Sequence, residues 1–299
     1  MSAVSTTQFD LLAPGHRACP GCGTAIVTRL VLMGAGRNVI VVTATGCLET
    51  FTSPYEESAW NVPWIHPLFE NAPSVASGVR AALEMTGRGD TKVIIFGGDG
   101  STFDIGLGAL SGFFERGHDA LYVCYDNEAY MNTGVQRSSA TPEGADTTTS
   151  PVGSCQLGKQ RPKKNLPAIA IAHDLPYVAT ASIAYPRDLI NKVKKALSIP
   201  GAKYLQVDAP CCIGWGFDPS QTVEVARLAV ETGLFPVYEW EPGQPFKARK
   251  LRQRRPVEDY LKVQRRFRHL FDRPEGKEEL ARIQALADAN AAKFGLDQA

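Results

Sequence analysis

Seven cysteines, and two turns bearing oxygen ligands that each follow an apolar run, carry most of the chemistry in this sequence. Cys19 and Cys22 bracket Pro20-Gly21, a spacing that lets two sulfurs reach one metal centre. Cys47 follows Thr43-Ala-Thr-Gly and Cys211 follows Ala209-Pro, each just beyond an apolar segment that reads as a strand. Four thiolates can hold a zinc ion or an iron–sulfur cluster. Zinc ribbons usually supply a second close pair, whereas here the other two cysteines are single and distant; residue types alone leave both centres open. Cys212 adjoins Cys211, and neighbouring side chains leave the backbone in different directions, so one of the two is expected to reach the centre. Cys211, directly after Pro210, is that one. Cys124 lies inside an apolar run and reads as core; Cys155 has no assigned role. The second set is made of oxygen. Gly98-Asp99-Gly100 ends the run Val93–Phe96, and Asp126-Asn127 ends another apolar run, Asn127 standing about 28 positions beyond Asp99. A lone Gly-Asp-Gly is an ordinary turn. Paired with an asparagine at this spacing, it offers hard ligands suited to Mg²⁺, while Gly98 and Gly100 let backbone N–H groups approach a diphosphate. Asn132 and Thr133, just past this loop, are candidates to touch the diphosphate or the reacting centre, or else to brace the loop by side-chain bonding. Thr45 and Gly46, next to Cys47, are candidates to contact a cofactor. His66 reads equally well as a structural histidine and is left out of the site.

These residues can meet only if the strands before them are neighbours. Val39–Thr43, Lys92–Phe96, Leu121–Tyr125, Tyr177–Ile183 and Lys203–Asp208 read as buried strands. They alternate with helical patterns over Ala25–Met33, Val75–Met85, Phe103–Arg116, Asp188–Leu197 and Gln221–Thr232. Such alternation predicts an α/β fold with a mainly parallel sheet covered by helices on both faces. Ligands then bind beyond the carboxyl ends of the strands, and the helix starting near Phe103 aims its positive end there. Residues 127–165 lack regularity and are too long for a simple connector, which marks a functional loop region. The expected division is a cofactor-binding domain over 1–240 and a basic C-terminal arm with helices over 241–299, lying on a partner; 275–299 reads as a peripheral amphipathic helix.

Composition sets the frame. Of 299 residues 44% are hydrophobic and 21% charged, with a net charge of +1, so no bulk charge points to nucleic acid or to a membrane surface. No stretch approaches the roughly 20 apolar residues of a membrane helix, and Met1–Gln8 has no signal-like pattern. An odd cysteine count argues against a disulfide framework and for reduced cysteines in a cytoplasmic chain.

The two ligand sets resemble those of a known family. Asp99 with Asn127 resembles the diphosphate–Mg²⁺ motif of thiamine-diphosphate enzymes. The wider pattern is similar to the beta subunits of the 2-oxoacid:ferredoxin oxidoreductases, pyruvate:ferredoxin oxidoreductase (pyruvate synthase) above all. The likeness runs from Gly15 to about Phe271. It rests on His16-Arg-Ala-Cys-Pro-Gly-Cys-Gly, Ala44-Thr-Gly-Cys, Pro63-Trp-Ile-His, Phe69-Glu-Asn, Gly98-Asp-Gly and Tyr125-Asp-Asn-Glu-Ala-Tyr-Met-Asn-Thr-Gly. Gln136-Arg, Thr147-Thr-Thr-Ser-Pro, Pro162-Lys-Lys-Asn and Gly214-Trp-Gly complete it. The resemblance implies the thiamine-diphosphate-binding fold. It implies Mg²⁺ on Asp99, Asn127 and the carbonyl of Ala129, and a [4Fe–4S] cluster on Cys19, Cys22, Cys47 and Cys211. It further implies oxidative decarboxylation of a 2-oxoacid, with pyruvate the best choice, to acyl-CoA and CO₂, electrons passing to ferredoxin. The glutamate that activates the cofactor would come from a separate alpha subunit, with gamma and ferredoxin-like delta subunits completing the complex; this chain alone would be inactive. The family usually reads Cys-Pro-Thr-Gly-Trp where this chain has Cys211-Cys-Ile-Gly-Trp215, and Ala-Ala where it has Ala72-Pro73. Both departures leave room for phenylglyoxylate, 2-oxoisovalerate or oxalate as substrate. The alternative is a non-redox thiamine enzyme with structural zinc.

Overall fold

A computed structural model describes residues 10–54 and 56–297. Its frame is an eight-stranded sheet in the order β2-β1-β3-β4-β6-β5-β7-β8. β1 (Val39–Thr43), β2 (Trp64–Ile65), β3 (Lys92–Gly98), β4 (Ala120–Asp126), β5 (Tyr177–Ser182) and β6 (Ala202–Asp208) are parallel; β7 (Tyr238–Trp240) and β8 (Lys247–Ala248) extend the β5 edge antiparallel. β4, β5 and β6 are buried at every position. That is why they read as unbroken apolar runs: helices cover both faces of a parallel sheet.

α1 (Gly23–Ala35) packs on one face, while α2 (Cys47–Thr52) is a short helix at the end of β1. α3 (Ala72–Met85), α4 (Leu107–Arg116) and α5 (Leu166–Ile171) cover the other face, and α6 (Pro186–Ser198) joins α1. Val27 and Val31 of α1 meet Leu189 and Val193 of α6 in one core cluster, all with 0% exposure. Burying each such side chain stabilises by about 1.5–3 kcal/mol, so a charge at Val31 would undo that layer. α7 (Cys212–Trp215) and α8 (Thr222–Glu231) follow β6; α9 (Val257–Leu261), α10 (His269–Asp272) and α11 (Gly276–Phe294) close the chain.

Strand and helix limits agree with the sequence reading to within a few residues, with instructive exceptions. The helix expected from Phe103 begins earlier, as a π-helical turn over Gly100–Ile105 that runs into α4. Ser101 and Thr102 drive the early start, because both hydroxyls bond back to the carbonyl of Gly98, at 3.0 and 2.6 Å. The basic stretch also makes contacts within its own chain. Arg254 pairs with Asp288 and Asp297, Arg255 with Asp259, and the Arg249 guanidinium sits 3.6 Å over the Tyr185 ring. Beneath it, Trp215, Phe267, Leu270, Ile283 and Ala287 form a third core cluster with α8 and α11. The partners of Arg254 lie 34 and 43 positions along the chain, where periodicity carries no trace of them. Residues 1–9 and 298–299 of the expected units fall outside the described residues.

Candidate functional site

β1, β3 and β4 are adjacent, so the loops after them open on one rim of the sheet. Thr45, Gly46, Gly98, Asp99, Gly100, Asn127, Ala129, Asn132 and Thr133 all line one cavity of about 170 Å³ there, together with Cys47, Phe69, Tyr125, Tyr130 and Met131. Every cofactor-contact candidate read from the sequence is thus in one place.

The oxygen ligands are tightly set. Asp99 is fully buried and accepts a 2.5 Å bond from Ser138 Oγ. Burial, then the Asp126 charge, pushes its carboxyl well above the usual range. The Asn127 side-chain amide puts one terminal atom 2.8 Å from Asp99 Oδ1 and 2.9 Å from the Ala129 carbonyl oxygen. With nitrogen inward it donates to both; with oxygen inward, three acceptors converge with nothing between them. Oxygens on an octahedral Mg²⁺ at 2.0–2.1 Å stand about 2.9 Å apart along an edge. The donor set and its spacing therefore fit a hard divalent cation, which would also balance the buried carboxylate.

Behind this rim lies a network that reading the sequence did not find. Glu128 takes a left-handed backbone, φ +69°, unusual for a side chain of its size. Lys163 bridges Asp126 and Glu128 at 2.7 Å each, and Arg266 bonds Glu128 at 2.6 Å. Arg266 lies 3.9 Å over the Trp215 ring, whose Nε1 donates to the Asn127 carbonyl at 2.8 Å. Burial alone would raise the Glu128 carboxyl, but the charges of Lys163 and Arg266 hold it below its usual range. The same pairing keeps Lys163 protonated against its burial. Glu128, pinned from two sides, fixes the turn that aims Asn127 and Ala129. The hints in the sequence were the landmarks Tyr125-Asp-Asn-Glu, Pro162-Lys-Lys-Asn and Gly214-Trp-Gly, which gave Glu128, Lys163 and Trp215 no role.

Loop 127–165 is irregular but well bonded. Buried Lys159 donates to the carbonyls of Ser139 and Thr141. Asn132 Nδ2 reaches Thr50 Oγ1 at 3.3 Å, while Thr133 and Gln136 bond each other's groups within the turn. Thr133 is therefore committed to bracing the loop. His66, set aside on sequence, reaches Thr45 Oγ1 with its Nε2 at 2.8 Å, beside the cavity.

The four candidate cysteines stand within reach of one another's charge, Cys47 sensing Cys211, Cys22 and Cys19. Cys22 caps α1 and Cys211 caps α7. The backbone bonds Cys22 N–H to Cys19 O at 3.1 Å and Gly23 N–H to Pro210 O at 3.2 Å tie these loops together. Gly21 must be glycine twice over: its φ is +71°, and a Cβ would stand 2.4 Å from the Pro219 carbonyl. Burial and the charges of Cys211, Cys22 and Cys19 push the Cys47 thiol up to about 12. Cys211 is pushed up to about 11 by burial, partly offset by the Gly214 N–H that its sulfur accepts at 3.4 Å. Cys212 is buried and donates to the Pro20 carbonyl at 3.1 Å. Cys124 is core, as expected, and Cys155 is exposed. Among the described residues no three His, Cys, Asp or Glu side chains stand at the spacing of a single-ion site, and no helix is long and apolar enough to cross a membrane.

Residues 44–207 match the family described as thiamine pyrophosphate enzyme, C-terminal TPP binding domain. The chain is 59% identical over 292 residues to pyruvate synthase subunit PorB of Methanosarcina barkeri, covering 97% of this chain and 99% of that one. It is 49% identical to the same subunit of Thermotoga maritima (93% and 89% covered) and 47% identical to ketoisovalerate oxidoreductase subunit VorB of Pyrococcus abyssi (86% and 85%). The fold is similar to the 2-oxoglutarate:ferredoxin oxidoreductase from Magnetococcus marinus, with a TM-score of 0.57, 22% identity, and 70% and 76% of the two chains covered.

Proposed function

This chain belongs to the thiamine-diphosphate-binding subunits of the 2-oxoacid:ferredoxin oxidoreductases, and from that premise we propose that it holds Mg²⁺–thiamine diphosphate and a [4Fe–4S] cluster around one cavity and serves the CoA-dependent oxidation of pyruvate. The observation that carries this reading is that Asp99, Asn127, Ala129 and Cys47 line the same 170 Å³ space. In the net reaction the 2-oxoacid carboxylate leaves as CO₂, the acyl carbon gives up two electrons, and CoA takes the acyl group as its thiol releases a proton. When bound, thiamine diphosphate supplies the carbon nucleophile and electron sink for decarboxylation, and the cluster a one-electron exit.

The chain's own residues bind, orient and exclude. Asp99 Oδ1, the Asn127 side-chain oxygen and the Ala129 carbonyl would hold the cation against the diphosphate. Ser138 fixes Asp99, and Lys163 with Arg266 fixes Glu128, so neither oxygen ligand must reorganise as cation loads. Phe69, Tyr130 and Met131 wall the cavity against water. Thr45, bonded to His66, and Asn132 offer polar groups at its mouth. Cys19, Cys22, Cys47 and Cys211 would hold the cluster, with Cys212 outside it. Cys47 senses the charges of Cys211, Cys22 and Cys19, which supports one shared centre for the four. An alpha subunit completing the active site, further subunits and ferredoxin as acceptor follow from the same reading, as does a cytoplasmic setting. The anaerobically assembled complex is expected to reduce a low-potential acceptor with pyruvate and CoA together. A panel of pyruvate, 2-oxoisovalerate, phenylglyoxylate and oxalate checks the substrate, and preference for any but pyruvate would overturn that part.

A further inference from the structure

Tyr125 carries a hydroxyl that the described residues leave without a partner. The residue is 1% exposed, and its Oη is buried with no hydrogen-bond partner. The other fully buried tyrosines are provided for: Tyr122 meets Thr102, Tyr177 donates to Glu239 and Tyr204 to Gln206. Leaving such a group unpaired is costly, so a ligand that supplies the acceptor recovers that energy on binding.

The placement of the ring selects the ligand. Tyr125 pairs in register with Gly98 of β3. A Cβ on Gly98 would stand 3.1 Å from the ring, and a Cβ on Gly46 would stand 3.0 Å from Oη. The tyrosine thus crosses the bare backbone of Gly98 and ends beside Gly46, one residue before Cys47, and it lines the cavity with Cys47. Successive strand residues face opposite sides of a sheet. Leu121, Val123 and Tyr125 belong to the core cluster of α1, against which Cys22 packs, whereas Tyr122 and Cys124 belong to the opposite cluster. The phenol therefore rises on the sulfur side of the rim, not with the Ser138-bound Asp99 carboxylate.

We propose that Tyr125 donates its O–H to a sulfur of the cluster held by Cys19, Cys22, Cys47 and Cys211, and so raises the cluster's reduction potential. This rests on the cluster reading above. A donor to sulfur favours the reduced, more negative cluster, and hydrogen bonds to the sulfurs are among the controls on such potentials. In the anaerobic complex, Tyr125→Phe should keep its iron, and its cluster should become about tenfold harder to reduce, about 59 mV for one electron, in an EPR-monitored redox titration. An exchangeable-proton coupling at the cluster should disappear with it. Replacing Tyr125 by 3-fluorotyrosine, a stronger donor of nearly the same shape, should move the potential the opposite way. It also supplies the test if the Phe variant assembles poorly. Full iron content with unchanged potential and coupling in either variant would overturn the inference. So would an unchanged potential with weakened thiamine diphosphate affinity, which would give the hydroxyl to the organic cofactor. A Cys47→Ser complex that holds as much iron as wild type would instead defeat the cluster reading itself.

Discussion

The rim has two unlike walls, an oxygen wall and a sulfur wall that reaches the cavity through Cys47. The oxygen wall is braced by side chains of matched charge: Lys163 and Arg266 face Asp126 and Glu128, Ser138 holds Asp99, and Trp215 holds the Asn127 carbonyl. The sulfur wall has nothing of the kind. Its cysteines meet backbone N–H groups and one another, and for Cys47 burial and the charges of Cys211, Cys22, Cys19 and Asp99 oppose ionisation. The difference teaches what each wall needs. On the proposed reading, the oxygen wall would be set before its cation arrives, whereas the sulfur wall would gain thiolates only with a positively charged centre.

The comparison can be broken most forcefully at Lys163. Lys163→Met leaves Asp126 and Glu128 buried with half their compensation, and removing one partner of a buried pair costs about 3–5 kcal/mol. A clearly lowered thermal transition of the assembled complex is expected; an unchanged one would mean that the brace carries no load. Next in size, Asp99→Asn keeps the shape and removes the charge. Thiamine diphosphate and Mg²⁺ affinity should fall by at least about 100-fold, while iron content stays. Loss of both would show that the walls are one unit. Cysteine exchange sharpens the other side: Cys211→Ser should lose the iron and leave cofactor affinity within a few-fold. Cys212→Ala should keep the iron and weaken stability by about 1 kcal/mol through loss of the bond to Pro20.

The smallest effect is one of pH. In the metal-free chain the Cys47 and Cys211 thiols are raised to about 12 and 11, above their ordinary 9.0. The unfolded chain then binds fewer of these protons above pH 9, so the metal-free fold should lose stability as pH rises from 9 towards 11. Metal binding runs the other way: it must displace those protons, so iron uptake should strengthen with rising pH. Thermal midpoints of metal-free protein at pH 8 and 10, beside iron uptake at the same values, check both signs.

Much of this was readable in the sequence because it is local. Apolar runs buried on both faces fixed the five long parallel strands, and chemistry at strand ends is confined to one rim by the topology itself. The Cys19–Cys22 pair and Gly98-Asp99-Gly100 are short patterns whose residue types state their chemistry. What stayed hidden is long-range. Arg266 reaches Glu128 across 138 positions, and no periodicity announces it. β7 and β8 are three and two residues long, below the length at which alternation can be recognised. Arg254 and Arg255 read as a solvated basic arm because their acidic partners sit on other elements. Tyr125 read simply as strand, since a hydroxyl lacking an acceptor is visible only once its neighbours are in place.

The central claim is that the four sulfurs and the oxygen ligands of one rim hold a cluster beside the organic cofactor. Iron and acid-labile sulfide in the anaerobic complex, compared between wild type and Cys47→Ser, test it most directly, because the difference isolates this chain from any other iron-bearing subunit. About four irons and four sulfides per copy should disappear, with thiamine diphosphate still bound. Equal iron in both, or the loss of zinc instead, would contradict it.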